Sequence, residues 1–576
     1  MPPSRRYVPF AVLAAAQLLL ALVVPSVSPN STTGLGQSFG TGQTTGFGSG
    51  ATAGPLASVD PNAPANPTLV GNPKAPASSA VGAASTPGGV RTQPGGAAGQ
   101  ANGTAGQIQG ASGDRSHCKG ALQFDELQVN PPCVAKFPQG ANNGGATYNG
   151  VSSKEIRVVY YRVKQNPAVD NLLNASNLGA TAQQDKDFLD TAIGFINAKY
   201  ETYGRTVKAD FYQGNCDPSP PDPTCFRDDA KIIAKHFHPF VVIWTSNTNV
   251  PEFHDELARA GIISFGGWHF SDQFRTGLRP YNYDLFMGGD KQARLTAEYY
   301  CKRLYGKPAA YAGTGSVGVR RKAAILYPDI PIVAGPAQTL LSEMKKCGAA
   351  DTLAVPYSSN IETAQQQATS IIAKLKSEGV TSVLCFCDPI APVFITKTAT
   401  QQAYFPEHVL VGSGLLDYDL LARLYDPPQW AHAFGMSDLA EFQPIEKSDA
   451  GIVWREQGAQ GPVNGTANTP WGYLALMATG IHLAGPRLDP GTFERAMLSI
   501  DVGGWERTHN PQQFLLKFGL GNYTAISDAR EAYWDASAPS KIDGKNGSYV
   551  ATEGGRRFRS GSWTGGDPQV PAGFGK

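Results

Sequence analysis

From Ser153 onward the chain alternates short apolar runs with longer stretches of helical periodicity. The run Glu155–Arg162 (EIRVVYYR) is a predicted strand, and Ala182 to Tyr200 places its apolar residues at the spacing of a helix. The same rhythm continues with predicted strands at Val207–Tyr212, Phe240–Trp244 and Ile262–Phe265, and predicted helices at Asp228–His236 and Pro251–Ala260. Continuous apolar runs such as FVVIW are expected of parallel strands that are covered on both faces.

A second unit of the same kind follows. It comprises predicted strands at Ala323–Tyr327, Thr352–Pro356, Val383–Cys387 and His408–Val411, and predicted helices at Ala293–Leu304, Ala337–Lys346, Thr363–Lys376 and Ala391–Thr398. Ser359 and Glu362 have the spacing of a capping box before the third of these helices. Two successive βαβαβ runs predict an α/β protein of two lobes, each with a parallel sheet flanked by helices. Ligands bind such sheets outside the carboxyl ends of the strands, so we expect a ligand cleft between the lobes.

The N-terminal region has a different composition. Arg5 and Arg6 precede an apolar run from Tyr7 to Val24, which is typical of either a cleaved signal peptide or an uncleaved membrane anchor, assigned to residues 1–28. Residues 29–115 are rich in Gly, Ala, Pro, Ser and Thr and are predicted to form a disordered linker. We therefore expect an exported protein of the cell envelope or the extracellular space, tethered to the membrane if the run is retained.

Charge and motifs exclude several function classes. The chain has 576 residues, with 48 Lys and Arg against 47 Asp and Glu, so it lacks the cationic excess of a nucleic-acid binder. It contains no HExxH, and the GxGxxG match at residues 313–318 precedes a predicted strand instead of following one. The sequence thus predicts no enzyme, no cofactor, no metal site and no nucleic-acid partner.

Cysteine usage agrees with export. Cys216 and Cys225 flank the Pro-rich loop DPSPPDPT and are predicted to form a disulfide, as are Cys118 with Cys133 and Cys301 with Cys347. Cys385 and Cys387 lie two residues apart in an apolar run, so their side chains are expected on the same face of a strand, as buried thiols.

Four stretches together resemble the extracellular ligand-binding receptor family, the periplasmic binding proteins of branched-chain amino-acid ABC transporters. They are VVIWTSNTNVPEFHDELARAGIISFGG, MGGDKQARLTAEYYCKRLYGKPAAYA, TPWGYLALMATGIHLAGPRLDPGTFERAML and YWDASAPSKIDGKNGSYVATEGGRRFRSGSW. The resemblance implies a periplasmic-binding-protein-like fold with a first lobe of residues 154–288 plus 437–520 and a second lobe of residues 289–436 plus 521–565. Residues 566–576 would then be a flexible tail.

Candidate ligand-binding residues lie at the predicted strand ends. In the first lobe, Thr245, Ser246 and Asn247 precede the helix at Pro251, where backbone N–H groups and hydroxyls suit a ligand carboxylate; capping of that helix by Asn249 with Glu252 is the alternative. Trp268 and His269 stand where the family has small residues, which indicates an aromatic wall or simple filling of space. Tyr161 ends the first strand and adds aromatic surface.

The second lobe contributes Tyr327, Asp388 and Ser413 at three strand ends. Asp388 is the candidate partner of a ligand ammonium group, or else caps the helix that follows it. The resemblance implies capture of a small molecule, an amino acid or an aromatic or hydrophobic acid, for a membrane permease of an ABC transporter. The alternative is a ligand-sensing or interaction ectodomain without a transport role.

Overall fold

A computed structural model of the chain describes residues 113–175, 179–246, 248–412 and 414–575. The predicted signal or anchor segment, almost all of the predicted linker, Asn247 and Ser413 lie outside the described residues. The structure has the predicted α/β architecture, with two lobes that are each built on a largely parallel sheet.

The first sheet has the strand order β2–β1–β3–β4–β5, and all of its neighbouring strands run parallel. Its strands are β1 (Glu155–Arg162), β2 (Thr206–Gln213), β3 (Val241–Trp244), β4 (Ile263–Phe265) and β5 (Asn282–Tyr283). The helices between them are α1 (Pro167–Ala175), α2 (Ala182–Lys199), α3 (Pro223–His236), α4 (Pro251–Arg259) and α5 (Asp272–Gly277).

Both faces of the first sheet are covered, as the apolar runs predicted. Along β1, Val158 and Tyr160 belong to the core shared with α2, whereas Val159 and Tyr161 belong to a separate core with residues of α3 and α4. This alternation follows from the two-residue period of a strand. It determines which of the two tyrosines can face a ligand.

The second sheet has the order β14–β13–β10–β9–β8–β6–β7, with β15 also paired to β13. Its strands are β6 (Ala323–Pro328), β7 (Leu353–Tyr357), β8 (Ser382–Cys385), β9 (Glu407–Val411), β10 (Ala433–Ser437), β13 (Asp528–Pro539), β14 (Asn546–Ala551) and β15 (Arg557–Arg559). Strands β6 to β10 are parallel, and β13 is antiparallel to its neighbours. The associated helices are α6 (Gly289–Tyr299, continued by a π-helical turn), α7 (Pro331–Lys346), α8 (Ala364–Ser377), α9 (Ala391–Gln401), α10 (Asp419–Ala422) and α11 (Pro427–Trp430).

After β10 the chain returns to the first lobe. Here lie α12 (Asp449–Glu456), α13 (Asn468–Ala484), α14 (Pro490–Leu498), the ribbon β11 (Asp501–Gly503) with β12 (Leu515–Lys517), and α15 (Trp505–Thr508). Helix α13 packs on β3 and α2, and α12 packs on α2. Near the points where the chain passes from one lobe to the other, the Lys291 ammonium of α6 donates to the backbone oxygens of Thr524 (3.2 Å) and Ile526 (3.1 Å).

Several helix starts differ from the predictions because backbone capping, not apolar periodicity, sets them. Helices α3 and α7 begin with proline in their first turn, at Pro223 and Pro331, earlier than predicted. The predicted capping box of Ser359 and Glu362 is wrong, since Asn360 Oδ1 accepts the Glu362 N–H (2.9 Å) and opens a 3₁₀ turn ahead of α8.

The structure contains four disulfides: Cys118–Cys133, Cys216–Cys225, Cys301–Cys347 and Cys385–Cys387. The prediction of thiols at Cys385 and Cys387 is therefore wrong. Strand β8 ends at Cys385, so Cys387 lies beyond the strand and the chain bends there, with the two Cα atoms 4.9 Å apart. In an extended strand that separation is about 6.6 Å.

The predicted flexible tail is also ordered through Gly575. Phe574 lies against the rings of Tyr311, Phe434 and Tyr533, with ring centres 5.5 to 6.0 Å apart. The aromatic side chain therefore packs the end of the chain against the second lobe. In the described ranges, no helix is both long and apolar enough to cross a membrane.

Candidate functional site

A cavity of about 600 Å³ lies at the carboxyl ends of the strands, between the lobes. The first lobe lines it with the end of β1, the turn after β3 and the loop after β4, and the second lobe with Pro389 after β8 and Leu415 after β9. Helix α13 and the N-terminal residues 128–132 complete the wall. The volume falls in the range of sites for drug-sized ligands.

The wall is predominantly apolar, with aromatic side chains contributed by both lobes. These are Tyr160, Trp268, Phe286, Tyr418, Phe442, Trp471 and Phe514. The Trp268 and Phe286 rings lie 4.4 Å apart between centres, and those of Tyr418 and Phe442 lie 4.9 Å apart. Such a surface suits an apolar ligand, because binding removes its hydrocarbon area from water.

Thr245 and Ser246 lie in the wall, in the turn between β3 and α4. The Thr245 hydroxyl is 3.1 Å from the Tyr160 hydroxyl, and Ser246 Oγ accepts the N–H of Thr248 (3.1 Å). The alternative of side-chain capping by Asn249 is wrong, since Val250 is the N-cap of α4 and provides no side-chain bond.

Trp268 forms a fixed part of the wall. Its indole N–H donates to the Tyr473 hydroxyl (2.9 Å), and that hydroxyl donates to Asp284 Oδ1 (2.7 Å). Asp284 in turn pairs with the buried guanidinium of Arg275 (2.7 Å). Only 5% of Trp268 is exposed, so the residue is both a cavity wall and part of the core.

Two other first-lobe candidates direct their side chains away from the cavity, although Tyr161 is among its lining residues. The Tyr161 hydroxyl donates to Asp229 (2.7 Å) and its ring stacks on Trp244, on the α3 and α4 side of the sheet. His269 lies behind Trp268, with Nδ1 3.2 Å from Gln292 Oε1 and its ring against Phe386. Burial lowers the pKa of His269 to about 4, so the ring is neutral at pH 7.

Of the second-lobe candidates, Tyr327 and Asp388 are not among the residues that line the cavity, and Ser413 lies outside the described residues. The Tyr327 hydroxyl accepts from Gln338 of α7 (3.3 Å). Asp388 Oδ1 accepts the N–H groups of Ile390 (2.9 Å) and Ala391 (3.0 Å), and Oδ2 accepts the Tyr357 hydroxyl (2.6 Å). Asp388 therefore makes the capping interaction that sequence reasoning offered as its alternative role.

The structure adds two polar features to the wall. Arg162, at the end of β1, donates to Asp185 Oδ2 (2.8 Å) and to the Ala180 carbonyl (2.7 Å). Asp449, the first residue of α12, accepts the backbone N–H of Gln128 (2.8 Å). Arg162 was visible in sequence as the residue ending a strand, whereas Asp449 has no local signal, since its partner lies 321 positions earlier.

Burial governs the charges of both acidic residues. It raises the pKa of Asp449 to about 6, against the backbone N–H groups of Gln128 and Val129, which lower it. Burial likewise raises the pKa of Asp185, against the neighbouring Arg162. In the described part of the wall there is no histidine, cysteine or metal-binding cluster.

No protein-family model matches the chain. No curated protein matches its sequence. Among solved structures, it is similar to an ABC-transporter solute-binding protein from R. palustris in complex with 4-hydroxybenzoate, at 13% identity and a TM-score of 0.50, over 71% of this chain and 98% of that one. It is also similar to a branched-chain amino acid ABC transporter protein from Thermus thermophilus with bound valine, at 11% identity and a TM-score of 0.50, over 71% of this chain and 97% of that one.

The similarity covers nearly the whole of each solved chain. At such low identity it concerns the architecture and not the ligand. The chain therefore has the two-lobed fold of the substrate-binding proteins of ABC transporters.

Proposed function

We propose that the protein is an exported solute-binding protein that captures a small organic molecule between its lobes and presents it to the membrane permease of an ABC transporter. The observation that carries the proposal is the interlobe cavity, whose wall is built by both lobes at the carboxyl ends of their strands. A ligand that contacts both lobes stabilises the closed arrangement over the open one.

The composition of the wall suits ligand binding, because its predominantly apolar and aromatic surface removes the hydrocarbon area of a ligand from water. The disulfides support export, because disulfides persist in oxidising compartments. The solved relatives with bound valine and 4-hydroxybenzoate support uptake as the context.

A thermal-shift screen of the full chain tests the proposal. Amino acids, aromatic acids and polycyclic alcohols would be compared, and a ligand of the native state raises the melting temperature. Ala475→Trp places an indole in the cavity from α13 and should abolish the shift, because Ala475 lies in the wall.

Asp388→Asn is the matched control, since Asp388 caps a helix outside the cavity and the variant should keep the shift. Equal responses of the wild type and Ala475→Trp would place ligand binding outside this cavity and would contradict the proposal.

A further inference from the structure

The charged residues of the cavity wall are mostly acidic. In the described part of the wall they are Asp170, Asp185, Glu441, Asp449, Arg162 and Lys164. Arg162 is already paired with Asp185, Glu441 is paired with Lys541, and Lys164 is exposed to solvent, which leaves Asp170 and Asp449 as the carboxylates without a paired cation in the wall. An anionic ligand would therefore meet an excess of carboxylates and no buried cation free to pair with it, and burying an unpaired charge is costly.

The rest of the wall offers a large apolar surface. Its aromatic side chains come from β1, the loops after β4 and β5, the second lobe and α13, so they can contact a ligand on several sides. A cavity of about 600 Å³ suits a ligand of drug size. Hydrocarbon area is thus the main source of affinity that this wall provides.

Asp449 is the acidic residue best placed to recognise a polar group on such a ligand. The N-terminal segment fixes its carboxylate, because the Gln128 N–H donates to Oδ1 and Gln513 Nε2 donates to the Gln128 carbonyl, each at 2.8 Å. An ionised carboxylate has about four acceptor positions, and the N–H group of Gln128 uses one of them. Acceptor capacity remains for a ligand hydrogen-bond donor.

We infer that the cavity takes a predominantly apolar molecule of drug size without an anionic group, and that Asp449 accepts a hydrogen bond from a hydroxyl or amino group of that ligand. The inference rests on the proposed function and names its substrate class. It sets this protein apart from its solved structural relative that carries 4-hydroxybenzoate.

A series of fluorescent probes with one apolar body tests the inference. The probes are 1-pyrenebutanol, its methyl ether and 1-pyrenebutyrate, titrated into the full chain at pH 8 with pyrene emission as the readout. We expect the alcohol to bind about tenfold tighter than the ether, as a hydrogen bond to a charged group provides. The carboxylate should bind at least tenfold weaker than the alcohol.

Asp449→Asn identifies the residue responsible. The variant keeps an acceptor for the Gln128 N–H but removes the negative charge, so 1-pyrenebutyrate should bind at least tenfold tighter than it binds the wild type. The ratio between the affinities of the alcohol and of the ether should become smaller. Asp388→Asn, outside the cavity, should keep the wild-type order of affinities.

The outcomes distinguish a wrong ligand class from a wrong proposed function. If the carboxylate binds tightest, or if Asp449→Asn leaves all the ratios unchanged, the inferred ligand class is wrong while binding in the cavity stands. If none of the probes binds and no compound of the thermal screen binds in the cavity, the proposed function fails as well.

Discussion

At the scale of single residues, burial decides the chemistry of the wall more than residue type does. Tyr160 and Tyr161 are adjacent and alike, yet only the Tyr160 ring shares the face of α13, while Tyr161 is held by Asp229 on the opposite face. Asp449 is the first residue of α12 and Asp388 lies three residues ahead of α9, yet only Asp449 lies in the cavity wall.

Asp449 predicts a pH-dependent stability. Its folded-state pKa of about 6 lies above the usual aspartate value of about 3.9, so the native state binds the proton more tightly than the unfolded state. Its contribution to stability is therefore present at low pH and is lost as pH rises from about 4 to about 6. Asp449→Asn should gain stability relative to wild type between pH 4.5 and pH 7.5, by about 2 kcal/mol.

Urea unfolding of the wild type and of Asp449→Asn at pH 4.5 and at pH 7.5 measures this difference in the free energy of unfolding. Asp125→Asn replaces an exposed aspartate of the same N-terminal segment and should show no such pH-dependent gain. An Asp449→Asn variant that is equally destabilised at both pH values would show that burial of the carboxylate carries no cost.

Removal of the Trp268 indole should lower both the free energy of unfolding and the affinity for a ligand. Trp268→Ala removes a nearly buried indole and leaves the Tyr473 hydroxyl without one partner, so we expect a cost of about 3–5 kcal/mol in the free energy of unfolding. Trp268→Phe keeps most of the ring and should cost less. Denaturation measures the loss of stability, and the probe titration measures the loss of affinity. A Trp268→Ala variant as stable as the wild type would contradict the packing of the indole.

At the scale of elements, two disulfides close loops of very different length. Cys301 in the π-helical turn after α6 pairs with Cys347 just after α7, across 46 residues. Cys216 lies ahead of α3 and Cys225 lies within it, so their disulfide closes a loop of only 9 residues. Chain entropy makes the longer closure the more stabilising one.

Serine pairs test this ranking. Replacing Cys301 and Cys347 together should cost about 4 kcal/mol, and replacing Cys216 and Cys225 together should cost about 2.6 kcal/mol, from the loop lengths alone. Equilibrium unfolding of both double variants under oxidising conditions compares them directly. The reverse ranking would mean that contacts in the folded state, and not loop closure, dominate.

At the scale of the whole molecule, the two lobes and several chain crossings define a hinged cleft. The wall takes residues from both lobes, so a ligand that contacts both should favour closure. Saturating 1-pyrenebutanol should therefore reduce the radius of gyration measured by small-angle X-ray scattering in the wild type but not in Ala475→Trp. An unchanged radius in the wild type would contradict ligand-driven closure.

The sequence by itself determined the elements and the architecture. Apolar runs and helical periodicity located most strands and helices of both βαβαβ units, because buried parallel strands and amphipathic helices leave local patterns. The strand-end rule also located Thr245, Ser246 and Trp268, which all lie in the cavity wall. The alternation of a strand places Tyr160 and Tyr161 on opposite faces of the sheet. It does not say which face α13 covers, so the sequence could not decide which tyrosine side chain lines the cavity.

Tertiary structure alone decided the rest. Asp449 enters the wall because a segment more than 300 residues earlier fixes its carboxylate, and Asp388 stays outside because its oxygens are used by its own helix and by Tyr357. The bend after β8 brings Cys385 and Cys387 together, and rings from three distant parts of the chain pack against Phe574. Contacts between residues far apart in sequence leave no periodic signal, and these contacts decide which polar groups a ligand can reach.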